Sequence, residues 1–200
     1  MWTKTFHRFA TCAVLVCGLV GSGGGAEVGL FSDAQCTSCR LEIGAGESRE
    51  FFVRFLTDGL PAEQFMTSVG LRIVGLPAQW TAVVVPNPDA PVAIGSLFGP
   101  GANIAFSSAQ GQPGSLLYSV TLDAPANASD MTDGFVLQVQ SPDPPVNPGF
   151  SCPWISVVCS QRPCDIMYCV GGGRLFVNTP GECTVETADQ HWSSIKALYR

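Results

Sequence analysis

The sequence is poor in histidine, in positive charge and in long apolar runs. It has 2 histidines, and 10 lysines and arginines against 16 aspartates and glutamates, for a net charge of −6. Histidine is the commonest general base. One of the two, His7, lies in an N-terminal segment that is expected to be removed from the mature chain. No histidine-centred triad or multi-histidine metal site is therefore expected. The chain also has no basic cluster, which argues against nucleic acid and anionic membranes as partners.

The N-terminal apolar run predicts a secretion signal over residues 1–26. Lys4 and Arg8 form its charged start, residues 13–20 its apolar part and residues 24–26 a small-residue cleavage site. The run is shorter than the roughly 20 residues of a spanning helix, so no membrane span is expected in the mature chain. A secreted, periplasmic or extracellular protein follows from this interpretation.

Short apolar segments that alternate with polar residues predict an all-β fold. Turn-rich stretches of glycine and proline separate them, which is typical of an antiparallel β-sandwich rather than of a parallel sheet with helices. We expect about nine strands in a single domain over residues 27–189. The side chains expected in the core belong to these alternating sets: Phe51, Val53, Phe55, Leu71, Ile73, Leu116, Tyr118, Val120, Phe135, Leu137, Ile155 and Val157.

The last residues break the alternating pattern and predict a short C-terminal helix over residues 190–200. Trp192, Ile195 and Tyr199 fall on one helical stripe. Two interpretations stay open at this stage: the stripe packs on the sandwich, or the segment is an exposed docking or sorting tail.

Seven cysteines follow residue 26 and are expected to form disulfides in an oxidising compartment. The Cys-Thr-Ser-Cys segment at 36–39 has the spacing of a redox dithiol or half a zinc site, but its flanks resemble strands and not the helix N-terminus that redox chemistry needs. Local spacing and strand adjacency predict three disulfides and one unpaired thiol: Cys164–Cys169, Cys159–Cys183 and Cys39–Cys152, with Cys36 left over.

Two sets of residues are candidate ligand sites. Trp80 and Trp154 have flat apolar rings that could stack on sugars, although packing in the core is the alternative for both. Oxygen ligands bunched in one loop could hold calcium, with solvated loop charge as the alternative, and no other cofactor is expected. The four calcium candidates are Asp123, Asn127, Asp130 and Asp133.

The order of segments resembles small secreted bacterial β-sandwich proteins of uncharacterised function. The resemblance rests on VGLFSDAQCTSC, VGLPAQW, GSLLYSVTL, CPWISVVC and GGGRLFVN, and on a C-terminal tail of the form W-x-x-I-K-x-L-Y-R. More distantly, ANIAFSS, GSLLYSVTLDAP and FVLQVQ are similar to segments of cohesin and carbohydrate-binding-module sandwiches. That similarity implies a cohesin-like, immunoglobulin-like or jelly-roll sandwich that binds or assembles.

Three functions from different classes remain open. The first is a secreted, non-catalytic module for adhesion, surface assembly or matrix contact, with a protein or polysaccharide partner. The second is a carbohydrate-binding module with exposed aromatic side chains. The third is a glycoside hydrolase, which would need two carboxylates facing one cleft. The lack of a catalytic set favours a protein that is not an enzyme.

Overall fold

The computed structural model describes residues 26–57, 60–111, 114–145, 151–161 and 165–183. These ranges contain thirteen strands and one 3₁₀ turn, Ala128–Asp130. Residues 1–25 of the predicted signal and the whole predicted helix over 190–200 lie outside them. The strands are β1 (Glu27–Phe31), β2 (Arg40–Leu41), β3 (Ser48–Leu56), β4 (Gln64–Val74), β5 (Thr81–Pro86), β6 (Val92–Ser96), β7 (Gly101–Gln110), β8 (Gly114–Asp123), β9 (Phe135–Gln140), β10 (Trp154–Cys159), β11 (Asp165–Cys169), β12 (Gly171–Gly172) and β13 (Arg174–Val177).

The strands form two sheets that pack face to face, which confirms the predicted all-β sandwich. One sheet has the order β12-β1-β3-β8-β5 and the other the order β11-β10-β4-β9-β13-β2, while β7 pairs with β4 and β6 with β7. Most pairs are antiparallel, but β1 with β12 and β2 with β13 are parallel. The expected nine strands are too few because two-residue strands such as β2 and β12 leave no alternating pattern in sequence. Within the described ranges, no helix has the length and apolar character needed to cross a membrane.

The core lies between the sheets and contains ten of the twelve side chains expected there. Two expectations are wrong. Leu116 is half-buried and its neighbour Leu117 is fully buried, because the pairing of β3 with β8 shifts register after Val53. Such a bulge turns the next side chain to the other face of the sheet. Phe135 is half-buried, at the rim of the core.

The disulfides differ from the predicted pairs. Cys39 is bonded to Cys183, with Cα atoms 5.4 Å apart, and Cys152 to Cys169, with Cα atoms 5.6 Å apart. Cys159 is disulfide-bonded as well. All three predicted pairs, Cys164–Cys169, Cys159–Cys183 and Cys39–Cys152, are therefore wrong.

Strand order explains these corrections. In the β10–β11 hairpin Trp154 lies opposite Cys169, which brings Cys152, two residues earlier, to the start of the same ladder. Strand β13 lies beside β2 and not beside β10, so Cys183, which follows β13, meets Cys39, which precedes β2. Cys36 is buried near this link, at a positive φ of 60°.

Candidate functional site

The two tryptophans considered for sugar binding are core residues in the structure. Trp80 is 3% exposed and its ring meets Phe135 edge to face, with centroids 4.9 Å apart. Trp154 is 7% exposed and covers Gly70, where an added Cβ would overlap the indole. A ring that stacks on a sugar must present a face to solvent, and these two rings do not.

The four calcium candidates do not come together as a metal site. The Asp123 carboxylate accepts hydrogen bonds from the hydroxyls of Ser48 and Thr81, while the Asn127 amide donates to Asp130 Oδ2 over 3.0 Å. Asp133 is exposed. Across the described ranges, no group of three or more histidine, cysteine, aspartate or glutamate side chains is placed to hold a metal ion.

The exposed apolar side chains of the molecule concentrate on two edge strands. Among the described residues β5 pairs with β8 alone and β6 with β7 alone. Five large apolar side chains of the described ranges are exposed, and all but Met167 lie on these two strands. We call these four the edge patch: Val83 (56% exposed) and Val85 (55%) point outward from one sheet, and Val92 (44%) and Ile94 (67%) point outward from the other.

A cleft of about 350 Å³ separates β5 from β6, and we call it the edge cleft. Opposed residues of antiparallel strands share a face, so Ala93 and Gly95, which pair with buried Ile104 and Ala102, are the inward residues of β6. They are small. The cleft exists because these positions add almost no side-chain volume to the space between the sheets.

The backbone conformation at position 95 requires glycine. Its φ is +101°, a conformation that residues with a Cβ rarely adopt, and an added Cβ would overlap the carbonyl oxygen of Gly101 on β7. From the other sheet, the inward side chains Ala82 and Val84 and the ring of Pro86 line the cleft. The space is therefore an unfilled part of the core that opens between the two sheet edges.

Tyr118 on β8 borders this cleft, and its hydroxyl oxygen is buried. It lines the cleft and is 3% exposed, and its hydroxyl has no hydrogen-bond partner among the described residues. Burial raises the pKa of Tyr118 from 10.0 to about 12, because an ionised phenolate is poorly solvated there. The hydroxyl is therefore neutral at physiological pH and can donate one hydrogen bond.

Sequence analysis did not identify the edge patch or the cleft, although one signal was present. Between Arg72 and Asp123 the chain carries a single charged residue, Asp89, whereas charged residues make up 13% of the whole sequence. The segment between these two residues contains β5, β6, β7 and most of β8. Its low charge removes one of the features that normally keep an edge strand from pairing.

Solved structures with a similar fold are cohesin modules. The seventh ScaB type I cohesin of Pseudobacteroides cellulosolvens matches with a TM-score of 0.50 at 12% identity, over 79% of this chain and 95% of that one. A cohesin module from a family 33 glycoside hydrolase of Clostridium perfringens matches with a TM-score of 0.48 at 10% identity, over 78% and 98%. A cohesin in a cohesin–dockerin complex from Clostridium thermocellum has a TM-score of 0.47 at 6% identity, over 76% and 99%.

The similarity at a TM-score of 0.50 supports a cohesin-like β-sandwich fold. At 12% identity the Pseudobacteroides cellulosolvens structure supports the architecture alone. No protein-family model and no curated protein matches the chain.

Proposed function

We propose that this chain is a non-catalytic protein-binding module that serves adhesion, surface assembly or matrix contact. The observation that carries the proposal is the edge patch, where Val83, Val85, Val92 and Ile94 are exposed on two edge strands. Soluble proteins commonly protect such edges with charged side chains, and neither β5 nor β6 carries one. Exposed large apolar side chains beside an uncovered strand edge are typical of interaction surfaces.

The proposed module works in an oxidising compartment outside the cytoplasm. The support for this is the pair of disulfides Cys39–Cys183 and Cys152–Cys169, since disulfides persist in secreted and periplasmic proteins and are rare in the cytosol. The predicted signal at residues 1–26 agrees with this location. A cohesin-like fold is compatible with many partners, so the partner itself must be found by experiment.

Capture with matched bait proteins tests the proposal. Purified protein with its disulfides intact is immobilised, exposed to the extracellular proteins of the source cells, and compared with an Ile94→Lys bait. A lysine at position 94 places a hydrated charge on the exposed edge strand β6, so we expect the specific partner to be lost. A partner retained equally by both baits would contradict the proposal.

The control bait is Ala45→Lys. Ala45 is exposed in the turn before β3 and lies outside the edge patch. It introduces the same charge on the same fold, so we expect this bait to capture the partner as the unmodified protein does. Loss of capture by both lysine variants would show a non-specific charge effect and would also count against the edge patch.

A further inference from the structure

One row of side chains crosses the outer face of the sheet β12-β1-β3-β8-β5, the face that points away from the other sheet. Phe51 of β3 is fully buried in the core, so the next residue, Phe52, points outward. Phe31 of β1 and Ser119 of β8 lie opposite Phe52, and Val85 of β5 lies opposite Ser119. Opposed residues share a face of the sheet. We call these four residues the outer row: Phe31, Phe52, Ser119 and Val85.

The outer row is more apolar than the solvated face of an antiparallel sheet usually is. Three of its four side chains are large and apolar, and Leu116 lies half-buried on the same face. The charged residues of β3 on this face, Glu50 and Arg54, lie in the rows on either side. The outward side chains of the other sheet are mainly polar and include Arg72, Gln138, Gln140 and Arg174. An apolar segment that covered the outer row would therefore gain stability by burial.

The chain passes close to the outer row at Cys183. The Cα atom of Cys183 lies 5.4 Å from that of Cys39, to which it is bonded. Cys39 follows Ser38, whose carbonyl accepts a hydrogen bond from the Ser32 N–H over 2.8 Å. Ser32 is next in sequence to Phe31, the first residue of the outer row. The segment that follows Cys183 therefore starts near one end of this row.

The length of the following segment matches the outer row. Residues 184–189 reach up to about 20 Å when extended, which is enough to bring the next residues onto the outer face. The helix predicted over residues 190–200 would be about 16 Å long. The outer row, measured from β1 to β5, is about 14 Å wide. The predicted helix can therefore lie along the whole row.

The chemistry of residues 190–200 also matches this face. The predicted helix has one apolar stripe, formed by Trp192, Ile195 and Tyr199. All 16 aspartates and glutamates of the chain precede residue 190, whereas the C-terminal segment carries Lys196 and Arg200. A basic segment is attracted to an acidic domain, and an apolar stripe is stabilised by burial against an apolar row.

We propose that residues 190–200 dock on the outer row of their own sandwich, with the apolar stripe of the predicted helix against the sheet. The contact assigns this segment to the sandwich and not to an exposed tail. It goes beyond the proposed function, because it concerns a face that the chain itself covers. The backbone edges of β5 and β6, and the outward side chains of Val92 and Ile94 on the other sheet, stay open to a partner.

Nuclear Overhauser effects in the purified, disulfide-bonded protein test this proposal. We expect them between the side chains of the stripe, Trp192 and Ile195, and the methyl groups of Val85 and Leu116. Effects that join the stripe to the outward side chains of the other sheet would overturn the proposal. The absence of any effect between the stripe and the sandwich would overturn it as well.

A charge in the stripe should release the segment. Ile195→Asp places a carboxylate against the apolar row, so we expect the effects to be lost and amide exchange over residues 192–199 to rise at least about tenfold, because an isolated helix this short is marginal in water. Ser194→Asp is the matched control, since residue 194 lies opposite the stripe on the helix, and it should keep the effects. Effects that persist in Ile195→Asp would contradict the docking.

A charge in the outer row should have the same result. Val85→Asp changes a residue that is 55% exposed, and we expect it to remove the effects. The matched control is Met167→Asp, at an exposed apolar residue of β11 in the other sheet, which should keep them. Ile195→Asp alters no residue of the sandwich, so it decides the matter if Val85→Asp does not fold. Equal loss in Met167→Asp would count against the outer row.

A mixture of isotope-labelled and unlabelled protein shows which copy the segment contacts. The effects should lie within one molecule, so isotope-filtered spectra should not contain them. Their presence there would overturn the proposal, because a second copy would then supply the segment. Failure of this inference leaves the proposed function standing, since capture with the Ile94→Lys bait tests a residue on the other sheet.

Discussion

Tyr118 shows how one buried polar side chain determines local chemistry. Its ring completes the core on the inner face of β8, and its hydroxyl has no hydrogen-bond partner among the described residues. A buried donor without a partner costs about 1–3 kcal/mol relative to its hydrated state. The fold accepts this cost because the ring of Tyr118 contributes to the core.

The raised pKa of Tyr118 makes protein stability depend on alkaline pH. The folded-state pKa of about 12 lies above the ordinary value of 10.0, so the unfolded chain releases this proton first as the pH rises. The contribution of Tyr118 to the free energy of unfolding is fully present below pH 10 and is lost as the pH rises toward 12. Relative to Tyr118→Phe, the free energy of unfolding should fall by about 1 kcal/mol between pH 9 and pH 11.

Urea unfolding of both proteins at the two pH values measures this difference. The Phe variant lacks the titrating group and controls for every other alkaline effect. Parallel changes in the two proteins would contradict the assignment of a raised pKa to Tyr118.

Leu116 and Leu117 show the limit of sequence prediction at single residues. The alternation of β8 correctly predicts the burial of Tyr118 and Val120, but it assigns Leu116 to the core because it assumes an unbroken period of two. The register shift opposite Val53 and Arg54 reverses the assignment for residues 116 and 117. A bulge of this kind depends on the partner strand and leaves no signal in the local sequence.

Alanine substitutions distinguish the two leucines. Leu117 is fully buried, so Leu117→Ala should lower the free energy of unfolding by about 2–5 kcal/mol through lost burial and the cavity that remains. Leu116→Ala should cost clearly less, because that side chain is only half-buried. Chemical denaturation measures both, and a larger loss for Leu116→Ala would show that the register is wrong.

At the scale of elements, strand positions follow from the sequence but strand neighbours do not. Alternation reveals β3, β4, β8 and β9 because each hides one face in the core. The parallel pairing of β2 with β13 joins segments more than 130 residues apart, and no local pattern reports it. The same non-local neighbours determine the disulfides, which explains why the predicted pairs are wrong while several of the predicted cysteines are bonded.

The N-terminal and C-terminal parts of the sandwich are joined where β2 meets β13. The Asn178 side chain accepts a hydrogen bond from the Ile43 N–H and donates one to the Ile43 carbonyl, each over 2.9 Å. The Cys39–Cys183 disulfide spans 144 residues at the same place. This link therefore closes most of the domain into one loop.

The two assigned disulfides should differ in their contribution to stability. In the chain-entropy model the Cys39–Cys183 link stabilises by about 5 kcal/mol and the Cys152–Cys169 link, with a separation of 17 residues, by about 3 kcal/mol. The Cys39→Ala/Cys183→Ala variant should therefore be less stable than Cys152→Ala/Cys169→Ala by about 2 kcal/mol. Non-reducing urea unfolding compares them, and the opposite order would contradict this assignment.

At the scale of the whole molecule, the sandwich combines a net negative charge with two edge strands that carry exposed apolar side chains. The net charge of −6 keeps molecules apart in general, whereas the stretch from β5 to the end of β8 contains only Asp89 and Asp123 as charged residues. The order of the strands places two exposed edges around one cleft. Neither the edge patch nor the cleft could be predicted from sequence, because both depend on which strands remain at the margins of the sheets.

The central claim is that a protein partner binds at β5 and β6. Amide hydrogen exchange of the protein, with and without the partner captured by the unmodified bait, tests it most directly. We expect the partner to slow exchange in Thr81–Val85 and Val92–Ser96, because these edges become covered or hydrogen-bonded. Protection confined to other strands, such as Asp165–Cys169 on the edge strand β11, with unchanged exchange in β5 and β6, would contradict the claim.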